Sequence, residues 1–195
     1  MLFYATFLDV GTDAPTQPLP STESQREPNG GHTRMSLGEY TFSFPIWVEF
    51  GNGKSERTGD VLDAKGWDSA LVVTDRGIEQ AGIVDGVESS LEAAGIDYEV
   101  FDDVEPNPTT AMVHDALDAL NAGGFDVVVA VGGGSVIDTA KCATLLKTNS
   151  GALAEYEVAV PEDVTAGKIE NHTHPLVTIP TTSGTGSEVD YWAVI

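Results

Sequence analysis

The chain has 195 residues, 41% of them apolar, with 9 basic against 31 acidic side chains and a formal net charge of −22. That length and apolar content suit one globular domain with a real core, while so acidic a surface repels nucleic acid and anionic membranes and excludes both as partners. A single cysteine, Cys142, excludes an intrachain disulfide and suits a cytoplasmic protein.

The opening "MLFYATFLDV" is apolar but lacks the basic start and cleavage site of a secretory signal. No stretch approaches the ~18 apolar residues of a membrane helix. Residues 11–35, "GTDAPTQPLPSTESQREPNGGHTRM", are rich in Pro, Gly, Ser and Thr without an apolar period. Residues 1–35 are therefore assigned to a flexible leader, with Met35 as an alternative start, and residues 36–195 to an α/β domain. The size of the negative charge reads as a solubility device for a high-salt, halophilic cytoplasm, where self-repulsion is screened.

Order begins at "YTFSFPIWVEFG" (40–51), which has strand character and supplies a small β element. "ALVVTD" (70–75) reads as a buried strand. The stretch 81–95 predicts a helix with Ile83, Val87 and Leu91 on one face and Gly95 at its end. "DYEVF" (97–101) is a strand, and 108–124 is a helix with Pro108 at its start and Val113, Leu117 and Leu120 in register. "FDVVVAVGGG" (125–134) is the most apolar strand, and 135–147 is a helix that Ser135 is placed to cap. "PLVTIP" (175–180) is a further strand, and "DYWAVI" opens another. Apolar strands separated by helices predict a Rossmann-like parallel sheet with helices on both faces.

Two loops carry the strongest chemistry. "VAVGGGSVIDTAK" (129–141) ends a buried strand in glycines and opens a helix. Glycines admit a phosphate to the backbone, and the helix start offers amides and a partial positive charge. The alternative is a tight turn without a ligand. "TIPTTSGTGSE" (178–188) follows another buried strand and offers the hydroxyls of Thr181, Thr182 and Thr185 beside open backbone. Two such loops at one rim could grip a diphosphate from both sides. The pattern is neither G-x-G-x-x-G, since Ile137 takes the last glycine's place, nor a Walker loop, since "GNGKS" (51–55) has Val48 where a glycine is required.

Asp75, at the carboxyl end of its strand, could accept from both hydroxyls of an adenosine ribose and repel a 2′-phosphate, or could simply cap a turn. Asn107 stands between two prolines in "EPNPTT", which predicts an extended backbone aiming its amide at a nucleotide, or a stiff turn. Asp138 could pair with Lys141 three residues on or face the ligand cleft, and the second is favoured. "HTH" (172–174) reads as a polar loop rather than a metal pair.

"GGGSVIDTAK" (132–141) and "PTTSGTGSE" (180–188), with "VVTDRGIEQAGIVDGV" (72–87) and "FDDVEPNPT" (101–109) in the same order, resemble the iron-containing alcohol dehydrogenases over residues 40–195. The glycine loop is also similar to that of glycerol-1-phosphate dehydrogenases, whose second loop looks different. The resemblance implies an N-terminal α/β domain that binds NAD and a C-terminal helical domain whose aspartate and three histidines hold Fe²⁺ or Zn²⁺. It implies hydride transfer between a small alcohol or aldehyde and NAD, with the metal as Lewis acid. It places Asp75 at the adenosine ribose and Asn107 along the cofactor. Gly133, Gly134 and Ser135 fall at the pyrophosphate, with Thr181, Thr182 and Thr185 closing over it, and Asp138 toward the nicotinamide. No catalytic residue and no metal ligand is implied in these 195 residues, so the chain by itself is expected to be inactive and to self-associate as a homo-oligomer. A complete, non-catalytic nucleotide-binding module is the reading from another class.

Overall fold

The computed structural model describes residues 46–157, 169–190 and 192–195, together with the backbone of a strand at Tyr4–Leu8. The strands are β1 (Tyr4–Leu8), β2 (Trp47–Phe50), β3 (Ser69–Val73), β4 (Asp97–Phe101), β5 (Val127–Gly132) and β6 (Leu176–Pro180). The α-helices are α1 (Thr58–Lys65), α2 (Arg76–Gln80), α3 (Asp85–Ala94), α4 (Thr110–Gly123) and α5 (Gly134–Thr148). The strands form one sheet in the order β2-β1-β6-β5-β3-β4. Its β4, β3, β5 and β6 run parallel, and β1 adds antiparallel to β6 and to β2.

The strands alternate their side chains between two cores. Ala70, Val72, Val127, Val129 and Val131 meet Leu62 of α1 and Val87 and Leu91 of α3 on one face. Leu71, Val73, Val128 and Ala130 meet Leu120 of α4 and Val136, Ile137 and Ala140 of α5 on the other. Each large aliphatic side chain buried this way contributes about 1.5–3 kcal/mol. The parallel sheet covered on both faces is the predicted fold class, with β1 and β2 as its small antiparallel addition.

Asp126 fixes the register at the amino-terminal end. Its Oδ2 accepts from the amides of Asp68 and Ser69, at 3.0 Å each, and from the Ser69 hydroxyl at 2.9 Å. The Ser69 hydroxyl bond, more than the amides, holds the Asp126 carboxyl below its usual range. At the opposite end Gly132 of β5 lies across from Pro180 of β6, and the Thr181 amide continues the ladder onto the Gly132 carbonyl at 2.9 Å. The segments leaving β5 and β6 therefore emerge side by side. Because β4 and β5 flank β3 on opposite sides, the connections reverse direction between β3 and β5, which is where ligands enter sheets of this kind.

Several expectations need correction. Tyr4–Leu8 is a sheet strand, so residues 1–35 are not leader throughout; Tyr, Thr and Phe favour strands, and β6 presents an edge to pair with. Residues 9–45 lie outside the described ones. The helix predicted over 81–95 begins at Asp85, because a separate helix, α2, precedes it and Gly82 turns the chain at φ 67. Ile83 lies before α3, while Val87 and Leu91 are buried on it and Gly95 ends it as expected. In α4 Leu117 is only half-buried and Ala116 takes the inner position beside Val113 and Leu120. Asn107 is not extended: its φ is 58, a left-handed value that Asn tolerates better than most residues. Ser135 does not cap α5, because the helix starts earlier, with Gly133 as its cap and no side chain bonded there. Residues 192–195 form no strand.

Candidate functional site

At the carboxyl edge of the sheet lies a hollow of about 450 Å³. Four segments line it: Asp75–Ile78 after β3, Asp102–Pro106 after β4, Gly133–Val136 after β5, and Thr181 and Thr182 after β6. Ser135 and Thr182 thus share one cavity. Its glycine floor follows from the sequence: α5 starts at Gly134, and its first intrahelical bond runs from the Ile137 amide to the Gly133 carbonyl at 3.1 Å. The amides of Gly134, Ser135 and Val136 precede that bond and have no partner inside the helix. A glycine cap adds no side chain that would occupy them.

The threonine loop closes against this floor. A Cβ on Gly133 would stand 3.1 Å from Thr182 Oγ1, and one on Gly134 would stand 3.4 Å from both Ser187 Oγ and Thr185 Cγ2. The loop can bend this tightly because Gly184 and Gly186 take φ values of 98 and 73. The two loops therefore approach closely enough that a Cβ on either glycine would press on the threonine loop.

The wall opposite carries charge. Asp75 caps α2, its Oδ1 accepting from the Gly77 and Ile78 amides at 2.9 and 3.0 Å. Both cap bonds fall on Oδ1, and the cap does not use Oδ2. Arg76 reaches across to the β4 exit, where its guanidinium pairs with Asp103 and lies 3.6 Å from Asp102. An isolated bridge between Asp75 and Asp103 holds the two exits together. On the same rim Glu79 meets Asp102, and that carboxyl–carboxyl hydrogen bond, ahead of burial, raises the Glu79 pKa.

Of the residues singled out in the sequence, Asp75, Gly133, Gly134, Ser135, Thr181 and Thr182 line the hollow. Asn107, Asp138 and Thr185 do not. Asn107 is exposed beyond Glu105 and Pro106, which do line it. Thr185 packs its methyl side toward Gly134 and accepts from the Ser187 amide at 3.4 Å.

Asp138 is 7% exposed, and its Oδ2 accepts from the Val194 amide at 3.0 Å. Its Oδ1 is buried without a hydrogen-bond partner among the described residues, with Lys141 Nζ 3.9 Å away. Burial raises the Asp138 carboxyl, against the lowering pull of the Val194 amide and Lys141. Lys141 itself bonds Asp190 and the Trp192 carbonyl, both at 2.7 Å, so the i,i+3 pairing with Asp138 is the looser contact. Asp138 and Lys141 together tie the segment after the threonine loop to α5.

Sequence reasoning missed Arg76, Asp102, Asp103 and Glu105. The available signal was their placement directly after β3 and β4, at the same edge as the glycine loop. Among the described residues no group of three or more His, Cys, Asp and Glu could hold a metal ion, and no helix is long and apolar enough to cross a membrane.

Residues 45–195 match the family model described as iron-containing alcohol dehydrogenase. A choline dehydrogenase of Bacillus subtilis is 44% identical over 158 residues, which is 80% of this chain and 38% of that protein. A solved archaeal alcohol dehydrogenase from a Red Sea brine pool, described as halo-thermophilic, is 32% identical with a TM-score of 0.64, over 73% of this chain and 36% of that one. A sulfoacetaldehyde reductase of Bifidobacterium kashiwanohense, solved with NAD⁺, is 28% identical with a TM-score of 0.60, over 71% of this chain and 35% of that one. The chain thus spans little more than a third of the length of these relatives.

Proposed function

The chain belongs to the iron-containing alcohol dehydrogenase family, and from that premise we propose that its hollow binds NAD for hydride transfer to or from a small alcohol or aldehyde. The observation that carries this is the seam between the two loops, where a Cβ on Gly133 would stand 3.1 Å from Thr182 Oγ1 beside three helix-start amides that have no partner inside the helix. Amides with a partial positive charge, walled by hydroxyls and free of Cβ atoms, suit a pyrophosphate. In this reading Gly133, Gly134 and Ser135 hold the pyrophosphate, Thr181 and Thr182 close over it, and Asp75 Oδ2 takes the adenosine ribose. Thr185 and Asp138 act as positioning residues, Thr185 by seating the loop against Gly134 and Asp138 by fixing the segment that follows. Asn107 sits at the outer lip, one residue beyond the lining.

Membership of the family supports NAD and a metal acting in the same reaction of the whole protein. When bound, Fe²⁺ or Zn²⁺ would act as Lewis acid on the substrate oxygen. The described residues present no donor set for it, so no step is assigned to the metal here. What this chain's residues do is bind, orient and shield the dinucleotide. The alcohol class of substrate is supported by the relatives' names, and NAD by the relative solved with it.

A cytoplasmic, halophilic setting also belongs to this reading, supported by the net charge of −22 and the brine-pool relative. So does self-association: Trp47 at 67% and Val194 at 76% are unusually exposed for apolar residues. Calorimetric titration with NAD and NADP tests the proposal. NAD is expected to bind and NADP to bind more weakly; a folded chain that binds neither removes the site assignment.

A further inference from the structure

The hollow has a second feature that bears on which dinucleotide enters it. Its wall carries Asp75, Asp102, Asp103 and Glu105 against one cation, Arg76. An arginine directly after the strand-end aspartate is where a 2′-phosphate would find its partner in a sheet of this kind. Here that guanidinium is already held. Asp103 Oδ1 accepts from Nη2, and Asp102 Oδ2 lies 3.6 Å from Nε, so the fork of the guanidinium faces the β4 exit. The Asp75–Asp103 bridge fixes the backbones from which these side chains project, which shortens the reach Arg76 has to make.

We infer that Asp102 and Asp103 act as a latch on Arg76 that keeps the site selective for a dinucleotide with a free 2′-hydroxyl. This rests on the reading of the hollow as the NAD site and adds residues that discriminate within it. Asp75 repels a 2′-phosphate by its own charge; the latch adds a separate effect, because the one cation able to compensate that charge is spent elsewhere. The guanidinium gives one hydrogen bond to Asp103 and a looser ion pair to Asp102, so a 2′-phosphate has to compete with two carboxylates for it. Releasing it should convert the same pocket toward NADP.

The test is a mutant cycle on the full chain, read by calorimetry with NAD and with NADP at one fixed salt concentration. The double variant Asp102→Asn/Asp103→Asn keeps the shape of the wall and frees Arg76. The affinity ratio NADP:NAD is expected to rise about tenfold or more, the size of one recovered charge-assisted hydrogen bond. Adding Arg76→Gln to that double variant should return the ratio to its starting value. A ratio that rises and then stays high in the triple variant overturns the latch, because loss of negative charge alone then explains it. An unmoved ratio in the double variant, with NAD still bound, also overturns it. Failure of the unmodified chain to bind NAD is a different result and removes the reading of the hollow on which the latch depends. Asp102 and Asp103 side chains are 34% and 58% exposed, so folding of the variants is expected, and a thermal melt checks it. The single variant Asp103→Asn should give an intermediate ratio, and a ratio unmoved there as in the double variant counts against the latch.

Discussion

Two neighbouring glycines should fail in opposite ways when each becomes alanine. Gly132 is buried at the end of β5, and a Cβ there would stand 2.5 and 2.6 Å from Cγ2 and Cβ of Val136, itself 1% exposed. Neither partner can move without displacing the start of α5 from the sheet. Gly132→Ala should therefore cost about 1–3 kcal/mol, the ordinary range for overpacking a core. Gly133 differs by one position. Its Cβ would meet Thr182 Oγ1 at 3.1 Å, and Thr182 is exposed and free to swing by a few tenths of an ångström. Gly133→Ala should cost no more than about 0.5 kcal/mol of stability. It places a methyl where the proposed pyrophosphate meets the amides of α5. Losing one hydrogen bond to a charged group is worth about 1.5–3 kcal/mol, or roughly ten- to a hundredfold in NAD affinity. Urea unfolding and calorimetry on both variants separate the two costs. If Gly133→Ala binds NAD as tightly as the parent chain, the seam between the loops is not the ligand's seat.

Three further outcomes follow from packing and burial. Gly59→Ala should be among the most damaging small changes, because its Cβ would stand 2.0 Å from the Ser90 carbonyl oxygen of α3. The cost, about 3 kcal/mol, outweighs the roughly 1 kcal/mol gain in helix propensity, and a thermal melt no lower than the parent's would refute the close approach of α1 and α3. Asp138→Asn tests the buried carboxylate. Its native pKa is raised above the unfolded value of 3.8, so its contribution to stability is full below that value and is lost as pH rises through the native one. The Asn variant should gain on the parent chain as pH rises above 3.8, measured as the difference in urea midpoint; a variant that loses ground as pH rises shows that the Lys141 attraction outweighs burial. The Cys142 thiol is pushed up to about 11 by burial. It should resist a thiol reagent near pH 8 until urea unfolds the chain, and rapid native labelling contradicts that placement.

The sheet was legible because its inner strands β3, β5 and β6 are apolar on both sides and its edge strand β4 alternates. "DYEVF" and the core of "FDVVVAVGGG" stand where the sequence put them, and the helices between them carry the inner residues Val87, Leu91, Val113 and Leu120. The convergence of the glycine and threonine loops was also legible, since both follow parallel strands and the Gly132–Pro180 register does the rest. What escaped was whatever depended on a partner distant in sequence. Asp75 was weighed as a ligand residue or a cap, and it is a cap that still lines the hollow. Arg76 gave no sign because its meaning lies in Asp102 and Asp103, which only the pairing of β3 with β4 brings within reach. Ser135 misled by residue preference: serine is a good cap, but Gly133 took that position and left the amides open. Asn107 misled by its prolines, because the turn into α4 uses a left-handed residue there.

The most direct test of the site is an amide-resolved NMR titration of the chain with NAD. The account predicts that the backbone amides of Gly134, Ser135 and Val136 shift together with those of Thr181 and Thr182, saturating with one dissociation constant. Shifts confined to a region away from the β5 and β6 exits, or none at all in a folded chain, would contradict it.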